Sequence, residues 1–166
     1  IIIDFVANYR TSYNRKDLRY FESLFNDNAL MITSKIEKEK PKSDQALRSL
    51  SHEKIVYQKR SKKQYIENLK KVFSGNKYIN VVFDEVEVIQ HPKYNDVYGV
   101  TLKQEWNSSR YSDVGFIFLM IDFQDENNPL IQVRTWQPEK LNGQVLAREE
   151  VFSLGDFDIV RAVIND

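Results

Sequence analysis

The chain has 166 residues, 24 of them basic and 24 acidic, with two histidines and no cysteine. This length is enough for one domain with its own core, and the balanced, interspersed charge lacks the basic patch with which proteins grip nucleic acid or an anionic membrane. Without thiols there is no cysteine nucleophile, disulfide or thiolate site, and His52 and His91 alone are too few imidazoles for zinc, so neither metal nor other cofactor is expected.

In the first segment Ile2, Phe5, Val6, Tyr9 and Tyr13 recur at three- and four-residue steps, which predicts an amphipathic helix. Asn14, with Asp17 three residues on, offers the N-cap of a second helix carrying Leu18, Phe21, Leu24 and Phe25 and ending at Asn26-Asp27-Asn28. A first strand is predicted from Ala29 to Ile36. Residues 37 to 54 are dominated by charge and read as a solvated excursion, with a return arm from Lys54 to Arg60. Ser61 caps a third helix whose buried face is Tyr65, Ile66, Leu69, Val72 and Phe73, and Gly75 sits near its end.

From Tyr78 the hydrophobic period changes from helical to two, and four strands follow: Tyr78 to Gln90, Val97 to Asn107, Tyr111 to Phe123 and Pro129 to Gln137. Helices followed by a meander of strands predict an α+β domain, a strongly curved antiparallel sheet with the N-terminal helices on its concave face. Residues 1 to 138 form this domain, and 139 to 166 are a C-terminal tail or edge strand of it. No apolar run approaches the ~20 residues needed to cross a bilayer. Residue 1 is Ile rather than Met, so a removed export signal and a periplasmic or otherwise exported location are expected, with cytoplasmic as the alternative.

The passage YRTSYNRKDLRYFESLFNDNALMI resembles the nuclear transport factor 2-like superfamily, which includes the SnoaL-like cyclases and the ketosteroid isomerases. The resemblance rests on Asn14, Asp17, Leu18, Leu24, Phe25, Asp27 and Ala29 and spans roughly residues 1 to 138. The passages YGVTLKQEWNSSRYSDVGFIFLMIDF and VRTWQP are also similar to uncharacterised, exported bacterial members. It implies a cone-shaped sheet with a pocket at its wide end, hosting either enzymes or non-enzymatic binding modules.

A hairpin centred on Ser109 would set Trp106 opposite Ser112, Gln104 opposite Val114, Leu102 opposite Phe116 and Tyr98 opposite Met120. Carried onward, this register puts Phe118, Asp122, Ile131, Val133, Thr135 and Gln137 on the same concave side. The expected ligand pocket is therefore Tyr9, Tyr13, Tyr98, Gln104, Trp106, Ser112, Phe116, Phe118 and Thr135. Each large aromatic also has an ordinary reading as packing. Asp122 among apolar neighbours is a candidate acid or base, or else the cap of a turn. The other face would carry Ile117, Leu119, Ile121, Arg134 and Trp136, which is costly to leave wet. It predicts a homodimer through that face, or a C-terminal tail that covers it.

Against the enzymes of this superfamily the match is incomplete. The isomerases' oxyanion tyrosine falls on Tyr9, but their carboxylate base falls on Thr33, a neutral hydroxyl. The Asp-Arg-Asp set of the similar epoxide hydrolases would need Asp122 and Arg134 together, and the register separates them. Two functions remain. One is a non-enzymatic domain that binds a small apolar or amphipathic molecule in the cone or serves as a dimeric interaction scaffold. The other is a SnoaL-like lyase, isomerase or cyclase using Tyr9, Tyr13, Asp122 and Asp113.

Overall fold

A computed structural model describes residues 1–39 and 52–159. Most of the charged excursion, and the last residues of the tail, lie outside the described residues. Three helices, α1 (Ile2–Asn14), α2 (Leu18–Ser23) and α3 (Lys62–Gly75), pack on a curved six-stranded sheet. Its strands are β1 (Phe25–Glu39), β2 (His52–Ser61), β3 (Ile79–Gln90), β4 (Val97–Ser108), β5 (Ser112–Asp122) and β6 (Leu130–Pro138), standing in the order β2-β1-β6-β5-β4-β3. The α+β architecture with N-terminal helices on the sheet is as the sequence predicts. One pairing differs: β1 lies parallel to β6, with Met31 opposite Arg134, so the sheet is mixed rather than wholly antiparallel.

The helices form for local reasons and are then tied to the sheet. The α1 stripe buries Phe5, Val6, Tyr9 and Tyr13. Asp17, not Asn14, caps α2, accepting from the Tyr20 N–H at 3.0 Å. Asn14 instead binds the backbone of β3: its Oδ1 accepts from Val81 N at 2.7 Å and its Nδ2 donates to Val81 O at 3.4 Å. Ser61 and Gln64 close a capping box at the start of α3.

Register decides which residues line the cone. The β4–β5 hairpin turns on Ser109 and Arg110, with Ser108 N–H donating to Tyr111 O at 2.8 Å and Asn107 opposite Ser112. Trp106 therefore faces Asp113, Gln104 faces Gly115 and Leu102 faces Ile117. A hairpin centred on Ser109 differs from this by one residue, and one residue moves a whole strand's side chains to the opposite face. A bulge between Met120 and Ile121 then sets Ile121 opposite Ile131 but Met120 opposite Val133.

The expected faces are thus exchanged along β5 and, in β6, from Val133 to Gln137, while Ile131 beyond the bulge keeps its expected concave place. Ile117, Leu119 and Ile121, predicted on a dimer face, are fully buried in the core beneath the helices, and Trp136 packs against that core. Arg134 is on the same side, donating to Tyr9. Ser112, Phe116, Phe118, Thr135 and Gln137, predicted toward the pocket, belong to the convex side. There Phe118, Met120, Val97 and Val133 form a second cluster, covered by Phe152, Leu154, Phe157 and Ile159 of the C-terminal segment. Phe118 stacks on Phe157 at 5.6 Å. Gly99 is required here, because a Cβ would lie 2.6 Å from the Leu154 side chain. Gln137 clamps the segment, donating to Glu150 O at 2.9 Å and accepting from Phe152 N at 3.0 Å. The convex apolar surface that called for a second copy is closed by the chain itself.

Candidate functional site

The concave face is filled from both sides by rings. Tyr9 and Tyr13 of α1 meet edge to face at 5.2 Å, Phe21 of α2 lies 4.9 Å from Tyr13, and Trp106 of β4 lies 5.4 Å from Tyr13. Through this apolar packing runs one polar chain. Arg134 Nε donates to Tyr9 OH at 3.2 Å, Tyr9 OH contacts Tyr13 OH at 3.0 Å, and Tyr13 OH contacts Tyr65 OH at 3.0 Å. The guanidinium also lies 4.9 Å over the Tyr65 ring.

The direction of the chain follows from its ends. A guanidinium only donates, so Tyr9 accepts there. Tyr9 and Tyr13 are both fully buried, and a buried O–H without an acceptor costs roughly 1–3 kcal/mol. The Tyr9 proton therefore goes to Tyr13 and the Tyr13 proton to Tyr65, leaving the hydroxyl of Tyr65 as the terminal donor of the chain. Burial pushes the Tyr13 and Tyr65 phenols up, with Arg134 only partly opposing it, so both stay neutral. Among the described residues no carboxylate is within ion-pair distance of Arg134. Burial disfavours its charge, but the three phenol oxygens outweigh that and hold the guanidinium protonated.

Toward the β4–β5 turn the same face has two acceptors without donors, Gln104 Oε1 and Asp113 Oδ1, both buried. Gln104 is opposite Gly115 and Asp113 opposite the half-buried Trp106, so the two are diagonal neighbours on one face. Gly115 is the floor: a Cβ there would lie 2.3 Å from the Trp136 indole, which takes up that space. Burial raises the Asp113 carboxyl above the usual carboxylate range, while the Tyr111 hydroxyl and the charge of Arg134 pull it back.

The structure separates the predicted site residues. Tyr9, Tyr13, Gln104 and Trp106 share the concave face, and Tyr98 packs at its far end, 5.7 Å from Phe123. Asp122 stands at the end of β5 on the opposite side, where its carboxylate accepts from Gln124 N at 2.9 Å and Gln132 Nε2 at 3.1 Å. It caps a turn and does not approach Tyr9. Arg134 and Asp122 do occupy opposite faces, but with the two exchanged from the predicted placement. Thr33 Oγ1 donates to Gln58 O at 3.4 Å. His91 Nδ1 accepts from the N–H groups of Lys93 and Tyr94, at 3.0 and 3.2 Å, and shapes its loop. His52 is exposed at the start of β2.

Sequence reading passed over Arg134, placed on the wrong face, and Tyr65, taken only as packing. Alternation could not have corrected this, because Phe116 to Ile121 are apolar on both faces. The usable signal was Asp113, whose parity with Gly115 and Ile117 makes it an inward acid in the observed register.

No family model matches the chain. No curated protein matches it either. Solved structures do. A nuclear transport factor 2-like protein of unknown function from Pseudomonas putida KT2440 superposes with a TM-score of 0.59 at 8% identity, covering 89% of this chain and 92% of that one. The chain has the nuclear transport factor 2-like fold. Bd1075 of Bdellovibrio bacteriovorus superposes with a TM-score of 0.61 at 16% identity over 84% of this chain. The helical cell shape determining protein Pgp2 of Campylobacter jejuni does so with 0.57 at 10% identity over 80%. The chain spans only 40% and 38% of the lengths of these last two, so in them the fold is one part of a longer protein.

Proposed function

We propose that this chain is a non-enzymatic binding domain of the nuclear transport factor 2-like fold, holding a small amphipathic ligand beside Trp106. The observation that carries this reading is the pair of buried, donorless oxygens, Gln104 Oε1 and Asp113 Oδ1. Each costs roughly 1–3 kcal/mol as it stands. A ligand that brings N–H or O–H donors to them, and an apolar body against the Trp106 ring, would recover that cost. Catalysis is disfavoured because Asp122 is engaged in its turn and the phenol chain spends its protons internally.

By analogy with Bd1075 and Pgp2, the domain works as part of a longer protein, and we place that protein in the exported compartment on the resemblance of its strand passages. Homodimerisation through Ile117, Leu119, Ile121, Arg134 and Trp136 is not part of this reading, since those side chains face the helices. The raised carboxyl of Asp113 favours a second reading, in which it serves as a general acid in a lyase or isomerase.

The test is a thermal-shift screen of small amphipathic amines, amides and alcohols, followed by Trp fluorescence titration of the hits. A saturating ligand at 100 times its Kd adds about 2.7 kcal/mol, and Gln104→Leu should abolish the effect while leaving the fold intact. A Gln104→Leu protein that keeps full affinity would overturn the binding site, and turnover of a hit that is lost in Asp113→Asn would favour the enzyme.

A further inference from the structure

A second surface stands apart from the concave site. Between the convex side of β3 and β4 and the C-terminal segment lies a cavity of about 540 Å³ whose apolar wall includes Ile89 and Leu146. Its charges do not balance. Arg148 is paired with Glu87, and Lys103 with Glu139 at 2.7 Å. Glu85 and Glu149 also line the cavity and have no ion pair among the described residues. Lys103 is raised by its hydrogen bond to Glu139 first, and Glu85 and Glu105 act on it in the same direction. One ammonium is thus surrounded by three carboxylates, and the groove as a whole is short of cations.

The strand beside it is unfinished as well. β3 is an end strand of the sheet, so beyond Val81, whose N–H and C=O are taken by Asn14, its outer row of backbone N–H and C=O groups has no strand to pair with. It leaves Val82, Val86 and Ile89 more than two-fifths exposed. A bulge falls between Asp84 and Glu87, and Glu85 has a φ of 52°, which turns this free carboxylate out of the ladder.

We infer that the groove along β3 docks an extended peptide segment of a partner protein in which every second residue, the set that shares one face of a strand, is in turn Lys or Arg and aliphatic. Its cations meet Glu85 and Glu149, its aliphatic side chains cover Ile89 and Leu146, and its backbone has the free edge of β3 to pair with. This inference is independent of the concave ligand, because it uses the opposite face of the sheet.

The probe is a labelled, end-capped octapeptide with Lys and Val in turn at every second position and Ser between them, compared with one carrying Glu in place of Lys, titrated against the full chain by fluorescence anisotropy and by amide chemical shifts. The Lys peptide should bind at least tenfold more tightly, with shifts confined to β3 and residues 146–153. E85K/E149K, changing two exposed side chains, should reduce that affinity tenfold or more while leaving Trp fluorescence of the concave face unchanged. Equal binding of both peptides, shifts elsewhere, or indifference to the charge reversal would each refute the inference. So would a dimer in sedimentation that E85K/E149K dissociates, because the groove would then be filled by a second copy.

Discussion

At the scale of single residues, the concave face holds polar groups of two kinds that should respond oppositely to removal. Tyr13→Phe breaks the phenol chain in its middle and strands the fully buried Tyr9 O–H, so it should lower stability by about 1–3 kcal/mol in urea unfolding. Gln104→Leu deletes an acceptor that had no partner, so it should be neutral or stabilising in the same assay. A large loss in Gln104→Leu would mean that Oε1 is satisfied in solution, by a water for instance. Asp113 adds a pH dependence. Its carboxyl is raised by burial, so the folded state holds the proton more tightly than the unfolded chain. Its contribution is complete below the unfolded value of about 3.9 and declines as pH rises through the higher folded value. Asp113→Asn should remove that decline, visible as the difference between the stability–pH curves of the two proteins.

At the scale of elements, the informative contrast is between what local sequence can specify and what it cannot. Helix α3 was legible to its first residue, because the capping pair Ser61 and Gln64 and the apolar stripe are both local. The strands were legible in extent but not in register. The turn between β4 and β5 contains neither glycine nor proline to mark its centre, and β5 is apolar on both faces. Both faces are apolar because each is covered, one by the helices and one by the C-terminal segment. A strand buried on both sides has no alternation to read. The same slip hid Arg134, and with it the phenol chain. The docking of the C-terminal segment can be tested at the glycine beneath it. Gly99→Val would push against Leu154 and Phe118, and overpacking of this kind costs typically about 1–3 kcal/mol. Limited proteolysis should then cut within residues 146–159 faster than in the parent, and unchanged cutting would show that the segment does not rest on Gly99.

At the scale of the whole molecule, the helices have no core of their own. Tyr9, Tyr13, Phe21 and Leu69 belong to the same cluster as Val100, Leu102, Leu119 and Ile121 of the sheet. Asn14 adds a backbone tie from α1 to β3. A molecule built this way should unfold in one step. Thermal melts followed by far-ultraviolet circular dichroism and by fluorescence of Trp106 and Trp136 should coincide, and a fluorescence transition preceding the dichroic one would show the helices leaving the sheet first.

The parallel pairing of β1 with β6 has a consequence in time. Met31 sits beside Arg134, a residue that leaves the ribosome about a hundred positions later, which at ~5–20 residues per second is a delay of roughly 5–20 s. Throughout that interval the first strand lacks its inner neighbour, and Phe21, Phe25 and Met31, fully or almost fully buried in the finished fold, have no sheet to lie on. The order of synthesis is therefore the reverse of the order of need: the earliest apolar segment waits for the last long strand, and the nascent chain must be shielded until β6 arrives.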